Sequence, residues 1–272
     1  MSGVPQAGVA RHARKYARIF SFAARDQAVY LPAFLVRNLF FVVIVFVFWS
    51  LWRAVYSGRD ALGGLSLVQM IWYLTFTETI ELSKSRVLYQ VQEEVKDGTL
   101  AVTLTRPYSY LLSHLSRAMG ESLVKLCPLL VEGGLLAALM VGPLPGYLRA
   151  LPMGLVLIAA GSLVTNLWLL TIGLLAFWTE EVAPFYWIIQ KFIFIVGGMF
   201  IPINLFPSWL AGVAKALPFA FSAYWPAYTM VSHSSRAFLT GLCGALLYIA
   251  ALGGLASLLF ALGRRRVQAQ GG

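Results

Sequence analysis

"EEVKDGTLAVTLTRP", residues 93–107, gathers Glu93, Glu94, Lys96, Asp97 and Arg106 around Gly98 and closes on Pro107. Leu88, Val91 and Val95 lead into it at spacings of three and four, with polar residues around them. That period predicts an amphipathic helix. Gly98 supplies a helix stop, because glycine takes the left-handed conformation at little cost. "TLAVTLTR" predicts a second short helix with Leu100 and Leu104 on one face, and Pro107 ends it by disfavouring the α region at the residue before it. The stretch therefore predicts a helical elbow, apolar on one side and charged on the other. An apolar face in water calls for a partner, whereas a plain connector between helices needs none.

Outward from the elbow the chain is apolar. Hydrophobic residues make up 59% and charged residues 12% of the 272, about half the charged share of a soluble domain, and the mean hydropathy is +0.76. Apolar runs of about 20 residues cross a bilayer core as helices. Six such spans are predicted, at about 31–52, 61–82, 120–141, 151–178, 184–201 and 237–262. "GPLPG" (142–146) and "TEEVAP" (179–184) punctuate them. The expected architecture is an all-α integral membrane protein, with residues 1–30 as an N-terminal segment, 31–262 as the membrane domain and 263–272 as a basic tail. The first 30 residues lack the apolar core of a cleavable signal peptide. Cys127 and Cys243 fall inside spans, with neither a disulfide framework nor metal spacing.

Basic residues orient this layout. With the N-terminus inside, Arg11, Arg14, Lys15, Arg18, Arg25 and Arg37 are cytosolic, followed by Lys84, Arg86, Lys96, Arg106 and Arg117, then Lys191 and finally Arg264 to Arg266. Outside remain Arg53, Arg59, Arg149, Lys215 and Arg236. The bias matches the positive-inside rule and puts the elbow and both termini in the cytosol. The formal charge of +10 then reflects topology and contact with anionic lipid rather than nucleic acid. In residues 10–30 the bases fall on one helical arc and Tyr16, Ile19, Phe20 and Ala23 on the other, which predicts a helix lying at the interface. Phe22 is out of place on the basic arc. Arg37 and Arg53 are placed to snorkel from the first span.

Residues 200–230 are apolar but cut by Pro202, Pro207, Pro218 and Pro226. Pieces this short do not span; they suit re-entrant or interfacial helices on the outer side. One kinked extra span is the alternative, and it would put the C-terminal arginines outside, against the charge bias.

The run Glu94, Gly98, Leu100, Leu104, Arg106, Pro107 resembles the cytosolic loop between the second and third helices of ABC-2 type transporter permeases. A second stretch, Gly197, Gly198, Ile201, Pro202, Phe206, Pro207, Trp209, Leu210, Leu217, Pro218, Phe219, Tyr224 and Pro226, resembles the family pattern before the last helix. Together with the six-span layout the resemblance covers nearly all of residues 1–272 as one permease domain. It implies a pair of permease subunits, identical or sister chains, driven by a dimer of separate cytosolic ATPases that bind the ATP. It also implies residues 93–107 as the coupling element, a bacterial cytoplasmic membrane and export of a cargo such as an amphiphile or lipid. No G-x-x-x-x-G-K-[ST] occurs in the chain, so P-loop hydrolysis falls to a partner and no cofactor is expected on this chain.

Glu132 falls near the middle of the third span, where a charge is costly unless it faces protein or water. Glu121 and Lys125 are four apart in the favourable order for a pair, and Lys125 and Glu132 are seven apart on the same side. This polar stripe is a candidate pathway or gate, or a structural contact between helices. Glu132 also opens the alternative of an ion-coupled secondary transporter. His12, His114 and His233 show no catalytic or metal spacing, and no G-x-S-x-G is present, which argues against an enzyme.

Overall fold

A computed structural model describes residues 5–179 and 181–270. The expectations placed on Arg11, His12 and Arg37, whose side chains are not among those described, and on residues 271–272 of the tail lie outside it.

The described residues are helical, with a single isolated bridge between Leu62 and Leu65 as the only extended pairing among them. In chain order the helices are α1 (Pro5–Val29), α2 (Leu31–Arg37), α3 (Leu39–Val55), α4 (Leu67–Leu82), α5 (Val87–Lys96), α6 (Thr99–Leu104), α7 (Tyr110–Val141) and α8 (Tyr147–Gly173). A 3-10 turn at Leu174–Phe177 extends α8, and α9 (Ala183–Val196), α10 (Ser208–Ala216), α11 (Pro218–Ser222), α12 (Tyr224–Ser232) and α13 (Ser235–Gln270) follow.

Four segments among the described residues are long and apolar enough to cross a membrane: Leu31–Val55, Tyr110–Val141, Tyr147–Phe177 and Ser235–Arg266. The expected second and fifth spans are shorter than the sequence suggests. Residues 61–66 belong to a tight turn, where Leu62 and Leu65 exchange both backbone hydrogen bonds at 3.0 Å. Ser66 then starts α4 through a reciprocal cap with Gln69. That leaves α4 with 16 residues, about 24 Å at 1.5 Å per residue. Helix α9 has 14 residues, about 21 Å. The expected third span has the opposite correction. Its helix begins at Tyr110, because Ser109 caps it by accepting from the Leu112 N–H.

The core is built around α4 and α8. Met70 to Leu74 of α4 are all at or below 4% exposed, and α8 packs against α5, α7, α11, α12 and α13. Helix α1 makes a close contact that its amphipathic pattern does not announce. Its Phe20–Ala24 backbone lies on α7 at Gly120, where a Cβ would come within 2.5 Å of the Phe20 carbonyl oxygen. Only glycine permits this approach. The apolar arc of α1 is therefore turned toward protein.

Residues 197–232 form a compact unit at the opposite end from the elbow. The chain leaves α9, crosses a 3-10 turn at Ile203–Leu205 and runs through α10. It then turns inward as α11 to the middle of α8, where the Phe221 and Ser222 carbonyl oxygens face Gly161. Helix α12 returns toward the start of α8: Met230 packs on Gly154 and His233 on Gly146.

Candidate functional site

The elbow is held on one face and open on the other. Val87, Leu88 and Val91 of α5 are at most 1% exposed. They press on the end of α8, where a Cβ at Gly173 would sit 3.0 Å from the Leu88 carbonyl oxygen and 3.2 Å from the Val91 Cβ. The far end of α5 is tied to the start of α9. The Gln92 Oε1 accepts from the Val182 N–H at 2.9 Å, its Nε2 donates to Glu181 at 3.3 Å, and Lys96 pairs with Glu181.

Asp97 then accepts from both the N–H (2.9 Å) and the hydroxyl (2.7 Å) of Thr99 and so starts α6. Gly98 carries φ +77°, a value that a β-substituted residue adopts only with strain. Leu100 points inward at 2% exposure, into the cluster formed by Val87, Leu88, Val91 and the end of α8. Leu104 (36%) and Val102 (61%) point outward. The sequence puts Leu100 and Leu104 on one docking face; the structure divides them. Leu100 anchors the elbow to its own chain, and Val102 joins Leu104 on the open side.

Of the other residues in the run, Glu94 meets His114 of α7 at 3.2 Å. Partial burial raises the Glu94 carboxyl, but the His114 hydrogen bond and charge prevail and hold it below the ordinary carboxylate value. Arg106 donates to the Tyr108 hydroxyl at 2.9 Å. The Pro107 carbonyl accepts from Lys15 at 2.6 Å, and the Ser109 N–H donates to the Tyr16 hydroxyl at 3.0 Å, so α1 clamps the exit of the elbow.

A buried polar knot joins the elbow to the long helices. Ser85 donates to Asn166 Oδ1 of α8 at 2.6 Å, and Asn166 Nδ2 donates to Ser122 of α7 at 3.1 Å. Lys84 pairs with Glu81, lies over the Trp168 and Tyr186 rings, and offers its backbone carbonyl to Lys125 at 3.0 Å. Gln190 of α9 donates to Glu81 at 3.2 Å. The end of α4 and the connector into α5 are thus bonded to α7, α8 and α9. The sequence offered a signal in Asn166, an amide within a charge-free span, but nothing in it marks Ser85 and Ser122 as its partners.

On α7 the expected Glu121–Lys125 pair does not form: Glu121 is taken by Arg117 (3.3 Å) and by Gln90 of α5 (2.8 Å), and Lys125 donates to the Lys84 carbonyl. Glu132 is half-buried, one residue before the close contact of Gly133 with Thr75 and Thr79 of α4.

At the far end, Gly197 ends α9, and the Gly198 carbonyl accepts from the Tyr73 hydroxyl at 2.6 Å. Pro202 and Pro207 precede the 3-10 turn and α10, and Pro218 opens α11. Tyr224, 1% exposed, stacks edge-on against Tyr73 and donates a short hydrogen bond to Asn204. Pro226 is buried in the first turn of α12, against Gly161. Trp209 is 72% exposed on α10. Most motif residues of this stretch therefore converge on one packed unit, while Ile201, Pro207 and Trp209 are exposed.

Residues 33–271 match the model of the ABC-2 family transporter proteins. The chain belongs to that family. It is a multi-pass membrane protein, and the family is a transport membrane subunit rather than a catalytic one. No curated protein matches the chain.

Proposed function

We propose that this ABC-2 family chain is the permease subunit of an ATP-driven exporter for an amphipathic or lipid-like cargo, with α5–α6 as the element that receives the ATPase. The observation that carries the reading is the two-sided elbow. Its inner face, Val87, Leu88, Val91 and Leu100, is sealed against the end of α8, while Val102 and Leu104 stand open in a segment flanked by charge. A lever needs both a fixed side and a contact side. The polar knot at Ser85, Asn166 and Ser122 supports the transmission of its motion to the long helices.

In this reading α3, α4, α7, α8, α9 and α13 are the six membrane helices, α11 and α12 form a re-entrant hairpin from the outer side, and both termini are cytosolic in a bacterial inner membrane. Two such subunits face each other, as a homodimer or with a sister chain, and a pair of ATPase subunits binds the ATP. The half-buried Glu132 on α7 lines the path or the subunit contact.

Purification of the chain with its native neighbours, followed by transport in sealed vesicles, tests the reading. An associated ATPase and ATP-dependent cargo movement are expected. Transport that follows an ion gradient without ATP contradicts the reading and favours Glu132 as an ion-coupling group. Single cysteines fix the topology: at Ser109 and Gln268 they are shielded from impermeant thiol reagents in intact cells, and at Ser57 and Ser208 they react. Labelling of Gln268 from outside overturns the six-span layout.

A further inference from the structure

A groove of about 550 Å³ opens between α1, the elbow and the first turns of α7, within the range of small-ligand sites. Arg18 of α1, Arg106 of the elbow exit and Arg117 of α7 line it. A second hollow of about 530 Å³ shares Arg18 and Tyr108 with it and adds Arg14 and Lys15. The acid within this set, Glu94, is engaged by His114. Arg117 is engaged by Glu121. Among the described residues, Arg18 and Arg106 have no carboxylate within ion-pair distance. Two guanidinium groups from elements far apart in sequence thus reach a common groove without a carboxylate ion pair among the described residues; Arg106 donates to the Tyr108 hydroxyl at 2.9 Å and feels Glu94 only at longer range.

Beside Arg18 the groove wall is apolar. Ile19, Phe22 and Ala23 line the groove, and Phe22 is 73% exposed. This explains the residue that breaks the basic arc of α1. A phenylalanine beside arginines is ill-placed in water and well placed where headgroups meet acyl chains. Past the exposed Arg25 and Asp26, Val29 and Tyr30 are again exposed apolar residues before the first span, both more than 60% exposed.

We propose that this groove is a binding site for the phosphate headgroup of an anionic phospholipid, with Arg18 and Arg106 holding the phosphate and Phe22 lying against an acyl chain. The guanidinium fork matches phosphate oxygens in a bidentate manner. A nucleotide or free phosphate satisfies the charge but leaves the Phe22 rim in water, so the lipid is favoured. The site rests on the reading that this end faces the cytosolic leaflet, and not on transport or on an ATPase. Because Arg106 follows α6 directly and the Pro107 carbonyl is held by Lys15, bound lipid ties α1 to the exit of the elbow.

The test is native mass spectrometry of the purified full chain titrated with phosphatidylglycerol, with phosphatidylcholine as the neutral control. The wild-type chain is expected to retain phosphatidylglycerol selectively. Arg18→Gln, a change at an exposed residue that leaves folding intact, lowers that affinity about fivefold, the effect of one basic residue near an anionic surface. Arg18→Gln/Arg106→Gln lowers it further, and Arg149→Gln at the other end of the molecule leaves it unchanged. Unaltered selectivity in both Arg18 variants overturns the proposal. Displacement of the lipid by millimolar inorganic phosphate, or equal retention of phosphatidylcholine, also overturns it, the first by assigning the groove to free anions and the second by removing the charge argument. Absence of any ATPase partner leaves this measurement intact, so failure of the transport reading and failure of the lipid site are told apart.

Discussion

The two ends of the molecule both break the chain into short helices, and they do so for different purposes. At one end, α5 and α6 are covered on a single side, and Val102 and Leu104 remain exposed. At the other, α11 and α12 are enclosed: Ala220, Tyr224, Ala227, Met230 and Val231 are all at or below 1% exposed. Short helices at membrane proteins are therefore not one kind of feature. The helices broken by glycine and charge leave one face exposed, and those broken by proline and packed on glycines of a neighbouring helix are enclosed.

The largest expected effect lies at the enclosed end. Tyr224→Ala removes a buried ring and its hydrogen bond to Asn204 and leaves a cavity beside Tyr73. A loss of about 3 kcal/mol or more is expected, read as a lowered unfolding midpoint in detergent. A stability equal to wild type means that α12 is a surface element like α6, and the comparison collapses.

Within the elbow, Leu100 and Leu104 separate the two sides. Leu100→Ala is expected to cost about 2–3 kcal/mol and to raise amide exchange across residues 99–104. Leu104→Ala is expected to stay within about 0.5 kcal/mol, as an exposed site does. Equal effects place both leucines on the same face and return the division between inner and outer sides to the simpler picture drawn from spacing.

A smaller effect than that of Leu100→Ala concerns the Glu94–His114 contact. Its carboxyl is held below the ordinary glutamate value, near about 4.3, so the contribution is fully present above that value and is lost as pH falls through the lowered one. Glu94→Gln is expected to cost about 1 kcal/mol for a hydrogen bond to the buried His114 and to flatten the acid limb of elbow protection measured by amide exchange. An unchanged acid limb removes Glu94 as its origin.

The elbow was legible because its signals are local. Gly98 and Pro107 punctuate it, and Leu88, Val91 and Val95 repeat at helical spacing. The inward turn of Leu100 was not, because the surface that covers it comes from the end of α8, some seventy residues away in sequence, where Gly173 admits the Leu88 backbone. The prolines at 202, 207, 218 and 226 announced short helices but not that Gly154 and Gly161 of α8 receive them. The length of α4 was overread because hydropathy does not register the two hydrogen bonds that close the turn at Leu62 and Leu65. Pairing on α7 failed for a related reason: the four-residue spacing of Glu121 and Lys125 is a property of one helix, while Gln90 and Lys84 reach them from another segment.

The central claim is that the open face of α6 receives an ATPase. Leu104→Asp places a charge on that face, away from the sealed side, in the hollow it shares with Tyr110 and with Phe260 and Arg264 of α13. The direct measurement is co-purification of the ATPase with this variant in detergent, together with cargo-stimulated hydrolysis. The account predicts a chain of wild-type stability that loses the ATPase or retains it uncoupled. A Leu104→Asp chain with its ATPase bound, hydrolysis stimulated and transport undiminished contradicts it.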